Sequence, residues 1–217
     1  MPGLEAILVT VAALLPIVNP IGSAPIFLLH SAYLPLAARR QLAWVVARNA
    51  FLLLVAAMLA GSHLLAFFGI SIPIVRVAGG LVLLATGWRL LHAGDDPDAP
   101  PPTMAEEWQG EAAKRGFYPL TFPLTVGPGS ISVAITLGAG AALDRPAGLV
   151  RVGAGIIGAA IIAVAINVCY RFATRLSTVL GETGTNVFLR LSAFILLCVG
   201  VGIFWSGIVG LVQSTKW

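Results

Sequence analysis

The chain has 217 residues, 58% of them hydrophobic and 10% charged, with 13 Lys and Arg against 9 Asp and Glu for a net charge of +4. Globular domains carry about 25% charged residues, so this composition excludes a soluble domain built around one core and describes an integral membrane protein. Its basic residues sit at the ends of apolar runs and not in a patch interleaved with aromatics, which argues against a nucleic-acid partner.

Six apolar runs, roughly 4–29, 43–68, 71–91, 118–141, 149–171 and 190–212, each approach the ~20 residues that cross a hydrocarbon core as a helix. The first has no basic leader and no convincing cleavage site, so it is expected to stay in the mature chain and not to be removed as a signal peptide. It is interrupted by Pro16-Ile17-Val18-Asn19-Pro20-Ile21-Gly22-Ser23-Ala24-Pro25. The second run is plain, with His63 late in it, and the third follows Phe68-Gly69 and carries Arg76 in its first turns. Residues 92–117 hold Asp95, Asp96, Asp98, Glu106, Glu107, Glu111 and four prolines, the composition of a solvated linker, in which Thr103-x-x-Glu106 could cap a short helix. The fourth run is interrupted by Pro123-Leu124-Thr125-Val126-Gly127-Pro128-Gly129-Ser130. The fifth is plain apart from Asn167, and the sixth follows Leu180-Gly181 and is headed by Arg190.

Each half therefore runs broken span, plain span, Arg-headed span. Three spans per half is an odd number, so the second half enters the membrane from the opposite side. The expected fold is all-α and integral to the membrane: six transmembrane helices in two inverted-topology three-helix repeats, 1–91 and 118–217, joined by the linker 92–117, with the first and fourth helices discontinuous. Nine basic residues, among them Arg39, Arg40, Arg48, Arg89 and Arg175, fall near one face and four near the other. The excess of positive charge on cytoplasmic loops then puts both termini outside and the linker inside.

Proline removes a backbone donor and glycine tolerates unusual backbone angles. At membrane depth the carbonyls so freed must meet protein, water or ligand, so two such breaks mark a cavity where the repeats meet. Asn19, Ser23, Thr125 and Ser130 supply neutral polar groups there, and the restart of the fourth helix near Ser130 presents N–H groups suited to a carboxylate. None of the nine acidic residues lies mid-span, which disfavours a metal site and an intramembrane carboxylate relay and favours a net-neutral, zwitterionic solute. Arg76 and Arg190 are candidate gates or interfacial anchors. Cys169 and Cys198 lack metal or redox spacing, no nucleophile motif or P-loop occurs, and the protein is read as neither an enzyme nor a cofactor binder. Small residues at Ala154-x3-Gly158 and Gly202-x3-Ser206-x3-Gly210 suit close helix packing, within one chain or in a homo-oligomer.

The stretches Asn19-Pro20-Ile21-Gly22-Ser23-Ala24-Pro25-Ile26-Phe27, Pro123-Leu124-Thr125-Val126-Gly127-Pro128-Gly129-Ser130-Ile131 and Arg76-Val77-Ala78-Gly79-Gly80 resemble the MarC family of six-span bacterial inner-membrane proteins, from the first span to the last. The resemblance implies an inner-membrane carrier of neutral amino acids such as alanine and glycine, with Asn19, Pro20, Gly22, Gly127, Pro128 and Gly129 at its central site. The coupling ion, H+ or Na+, is left open. A non-transporting scaffold or regulatory subunit and an exporter of drug-like compounds are the alternative functions.

Overall fold

The structure, a computed structural model, describes residues 2–31, 34–92, 116–139 and 146–214. Among them every regular element is a helix: α1 Pro2–Val18, α2 Pro20–Ser31, α3 Leu36–Phe67, α4 Ile72–His92, α5 Gly116–Thr125, α6 Pro128–Ala139, α7 Pro146–Arg171 and α8 Ala173–Ser214. The acidic linker, with its expected capping box, lies outside the described residues, apart from its ends at His92 and 116–117. Five stretches are long and apolar enough to cross a bilayer, and a sixth forms if the bent pair α5 and α6 counts as one span. Large apolar side chains such as Leu52, Leu81, Ile161, Val164, Val201 and Trp205 point outward from these helices, as a lipid-facing surface requires.

The two breaks differ in kind. Across the first, α1 and α2 run on as one apolar stretch, Gly3–Leu28. Asn19 alone leaves the helical region, with φ 44, and the ladder survives on either side of it: Asn19 N–H donates to the Leu15 carbonyl at 2.9 Å and Ser23 N–H to the Asn19 carbonyl at 3.0 Å. Pro20 stands at the first position of α2, where its missing N–H is not needed. The second break bends the chain by 74° between α5 and α6.

The sequence of α5 explains the difference. Its core is an aromatic-Pro-Leu-Thr tetrapeptide written twice, Tyr118-Pro119-Leu120-Thr121 and Phe122-Pro123-Leu124-Thr125. A residue before proline is pushed out of the helical region, and Tyr118 and Phe122 accordingly sit at ψ 127. The turn is thereby widened, so each threonine hydroxyl reaches back five residues: Thr121 Oγ1 donates to the Gly116 carbonyl and Thr125 Oγ1 to the Leu120 carbonyl, both at 2.6 Å. A segment with two prolines thus keeps these two carbonyls satisfied within the protein, as an apolar environment demands.

Packing follows a regular scheme. α4 lies along α8; α3 packs against α6 and α7; α1 packs on α7, with α2 also touching α7 and α8. Close approaches need glycine. A Cβ on Gly138 would fall onto the Met58 carbonyl of α3, one on Gly80 would lie 2.7 Å from Phe204 Cα in α8, and one on Gly158 would lie 2.6 Å from Thr10 Cγ2 in α1. The expected stripe Ala154-x3-Gly158 therefore packs within the chain. Of the expected stripe on α8, Gly210 packs against Pro73 within the chain, while Gly202 and Ser206 are exposed on the single chain; the α4-facing glycines are Gly200 and Gly207.

Both Arg-headed helices are preceded by a left-handed glycine, Gly69 at φ 67 and Gly181 at φ 65. Gly69 closes α3, its N–H donating to the Ala66 carbonyl at 3.1 Å, and Gly181 kinks α8 ahead of Arg190. Arg39 donates to the carbonyls of Ser31 (3.1 Å) and Leu34 (3.3 Å) and to Thr174 Oγ1 (2.9 Å), pinning the finish of α2 to the start of α8.

Candidate functional site

Asn19 is half-buried, and its side chain turns back on the chain: Oδ1 accepts from Gly22 N–H at 3.1 Å, the bond of a helix N-cap. A left-handed asparagine that caps the next helix suits its own short amide to the turn. Pro20 and Gly22 are buried. A Cβ on Gly22 would meet the Asn19 side-chain amide and lie 2.8 Å from Ser192 Oγ of α8, so this glycine lets the break close against α8. Ser23 is 7% exposed, its hydroxyl donating to the Asn19 carbonyl at 2.9 Å.

In the second break Gly127 is half-buried and Pro128 exposed. The fourth helix restarts at Pro128, two residues before the expected Ser130, because proline is pre-set for a first helical position. Gly129 is packed under Leu83 of α4, whose side chain a Cβ there would strike. Ser130 is 1% exposed, with its hydroxyl donating to the Gly127 carbonyl at 2.9 Å. The N–H groups of Gly129 and Ser130 belong to the first turn of α6, where a helix has no internal acceptors for them.

Sequence reasoning missed the residue that joins the breaks. Tyr170, near the end of α7, is fully buried. Its hydroxyl donates to Ser23 Oγ at 3.0 Å and lies 2.8 Å from Thr125 Oγ1, and its ring stacks on Phe27 of α2 at 4.4 Å between centroids and 16° between planes. One phenol oxygen thus ties a residue of the first break to a residue of the second. A tyrosine beside Arg171 at a span end reads as an interfacial anchor, so only its burial reveals the different role. The tyrosine hydroxyl is the polar handle that such a buried ring needs.

Of the two candidate gates, Arg76 reaches across from α4, its Nε donating to Thr136 Oγ1 of α6 at 3.3 Å. Thr136 in turn donates to the Ser132 carbonyl (2.9 Å), and Ser132 Oγ to the Gly129 carbonyl (2.8 Å), so a polar chain runs from Arg76 to the start of α6. Arg190 is exposed on α8. The structure brings Asn19, Ser23, Thr125 and the Tyr170 hydroxyl into one network; Gly129 and Arg76 belong to the adjoining one along α6, and the Ser130 hydroxyl turns back to Gly127. His63 faces outward from α3, while His30 and His92 bond the carbonyls one turn back, both at 2.9 Å. Among the described residues no group of His, Cys, Asp and Glu could hold a metal ion.

Residues 4–212 match the MarC family of integral membrane proteins. The chain belongs to the MarC family. It is 30% identical over 220 residues to the inner membrane protein MarC of Salmonella typhimurium, with 97% of each chain covered, and 30% identical over 199 residues to the membrane protein YvbG of Bacillus subtilis, with 92% of each covered. The Citrobacter koseri MarC is 29% identical over 217 residues. No solved structure matches the chain. Membership agrees with the multi-pass apolar helices and assigns this MarC protein to the inner membrane.

Proposed function

We propose that this MarC protein is a secondary transporter of small zwitterionic amino acids, glycine and alanine foremost, working by alternating access around the junction of its two breaks. The observation that carries the reading is the Tyr170 hydroxyl held between Ser23 and Thr125. A structural kink needs no partner in the other half of the chain, whereas a site between two repeats does.

The repeats themselves, 1–91 and 118–217 about the linker 92–117, are inverted. The packing supports this: exchanging the halves maps α1 on α7 onto α5 on α3, α2 on α7 onto α6 on α3 and α2 on α8 onto α6 on α4, and leaves α4 along α8 and α3 on α7 unchanged. The paired left-handed glycines ahead of Arg76 and Arg190 support it too. Both termini face outside and the linker faces the cytoplasm, in accord with the nine basic residues on one side.

The helix starts at the junction are chemically unlike. α2 is capped by Asn19 Oδ1, but at α6 the Ser130 hydroxyl turns back to a carbonyl and leaves the first-turn N–H groups for a ligand. The substrate carboxylate docks at this α6 start, beside the Thr125 and Tyr170 hydroxyls. Its ammonium faces the Pro16 and Ile21 carbonyls, which Pro20 and Pro25 cannot serve with an N–H. With no carboxylate required in the site, coupling falls to an H+ or Na+ gradient acting elsewhere in the cycle.

The test is uptake of labelled glycine and L-alanine by purified protein in liposomes, with pH and Na+ gradients imposed separately. Saturable uptake that falls sharply in a folded Thr125→Val/Tyr170→Phe variant supports the reading. No uptake under either gradient from folded protein refutes it and favours a scaffold role. A Gly129 substitution is unsuitable as the control, because it strikes Leu83.

A further inference from the structure

A cavity of about 720 Å³ opens at the end of the bundle where α1 and α7 begin and α3 and α6 finish, with Glu5, Thr10, Met58, Thr136, Val150 and Arg151 in its walls. It is separate from the junction. At about 1.5 Å per residue, Thr10 lies roughly 14 Å along α1 from Asn19, and Thr136 roughly 10 Å along α6 from Gly129. Leu14, Ile17, Val18, Ala134 and Ile135 are buried in the interval.

The cavity is too large for a snug fit to a small solute: at about 30 Å³ per water it has room for roughly two dozen. Its charges are specific. Of the described lining residues, Glu5 alone is acidic and Arg151 alone basic. They stand in the first turn of α1 and the second turn of α7 respectively, and apolar walls of Met58, Val150 and Ile156 strengthen the field between them. A solute of one charge sign meets both attraction and repulsion here, whereas a zwitterion can set its dipole along the pair. The floor is polar as well. Thr136 lines the cavity and is the residue through which Arg76 connects to Ser132 and the start of α6.

We infer that this cavity is a hydrated antechamber for a zwitterionic solute, with Glu5 taking its ammonium and Arg151 its carboxylate before passage to the junction, and with the Arg76–Thr136 contact as the floor that must open. The inference rests on the transport reading for its purpose, but water access and solute binding can be measured without transport.

In a Cys169→Ala/Cys198→Ala background, an Ala6→Cys thiol should react with a charged, membrane-impermeant methanethiosulfonate from one side of the membrane only, and glycine or L-alanine should slow the reaction. In uptake assays Glu5→Gln and Arg151→Gln should each raise KM for both amino acids by about three- to tenfold, the effect of a mouth charge on encounter. Maximal rate should stay unchanged, and the effect should appear only when substrate is added on the side from which the Ala6→Cys thiol reacts. No labelling from either side would mean a cavity filled by lipid or sealed, and would overturn the antechamber. So would labelling that neither amino acid slows, or unchanged KM in both variants. If the wild type moves no amino acid while glycine still protects the Ala6→Cys thiol, the transport reading fails and the antechamber stands.

Discussion

Replacing Tyr170 by Phe removes one oxygen from the junction and leaves the ring stacked on Phe27. That oxygen's contacts with Ser23 Oγ and Thr125 Oγ1, which share the one phenol proton, vanish. Neither hydroxyl is orphaned, since Ser23 still donates to the Asn19 carbonyl and Thr125 to the Leu120 carbonyl. Side-chain hydrogen bonds between transmembrane helices contribute about 0.6 kcal/mol on average and up to about 1.7, so the pair should contribute about 1 to 2 kcal/mol. Tyr170→Ala also deletes a fully buried ring and should cost about 3 to 5 kcal/mol. The measurement is reversible unfolding by SDS titration in mixed micelles, on double-mutant cycles of Tyr170→Phe with Ser23→Ala and with Thr125→Val. Coupling of about 0.5 kcal/mol or more in each cycle is expected. Coupling under about 0.3 kcal/mol in both, the level at which independent sites simply add, would refute the claim that Tyr170 latches the two breaks together. If the latch opens in every transport cycle, 1 to 2 kcal/mol moves the closed-to-open ratio by about 5- to 30-fold. Uptake by Tyr170→Phe would then change in rate while the fold is retained.

Gly138→Ala should destabilise the bundle by about 3 kcal/mol, the upper range for overpacking, because its methyl group meets the Met58 carbonyl, a backbone atom that cannot swing aside; Gly202→Ala, with open space around it, should lie within about 0.5 kcal/mol of wild type in the same titration. Asn19→Ala loses the cap to Gly22 at about 1 kcal/mol and also forces an alanine into φ 44, so it should be less stable than Asn19→Gly; equal stability would mean that the left-handed turn relaxes in the variant. Arg39→Ala should lower the melting temperature measurably and Arg39→Lys should fail to restore it, since an ammonium cannot reproduce the fork that spans Ser31, Leu34 and Thr174.

Much of the architecture was written in composition and punctuation. Apolar runs placed the five membrane-capable stretches and the bent pair of α5 and α6 to within a few residues, except that α3 begins at Leu36 and not near 43, because Arg39, Arg40 and Arg48 can sit on a helix whose end leaves the hydrocarbon, and that α8 starts at Ala173, ahead of its kink at Gly181. The paired Pro and Gly clusters located both breaks, and the glycines at 69 and 181 marked two left-handed turns, since backbone angles of that kind are a local property of the residue.

How each break behaves was not legible in its prolines. Proline count predicts two similar interruptions, yet Asn19 absorbs the first in a single residue while the doubled aromatic-Pro-Leu-Thr tetrapeptide turns the second by 74°. The repeated threonines were the signal, since a side chain able to reach a carbonyl five residues back sustains a wide turn. Tyr170 and the packed glycines of α8 were likewise beyond the sequence. A hydrogen bond between residues 147 apart in the chain and the choice of which helix face meets a neighbour depend on how whole helices dock, and no local pattern carries that information. The sequence by itself determined that this chain spans the membrane and where its helices break; the tertiary structure alone decided that a buried tyrosine on a third helix holds the two breaks together, because long-range contacts exist only once the helices have packed.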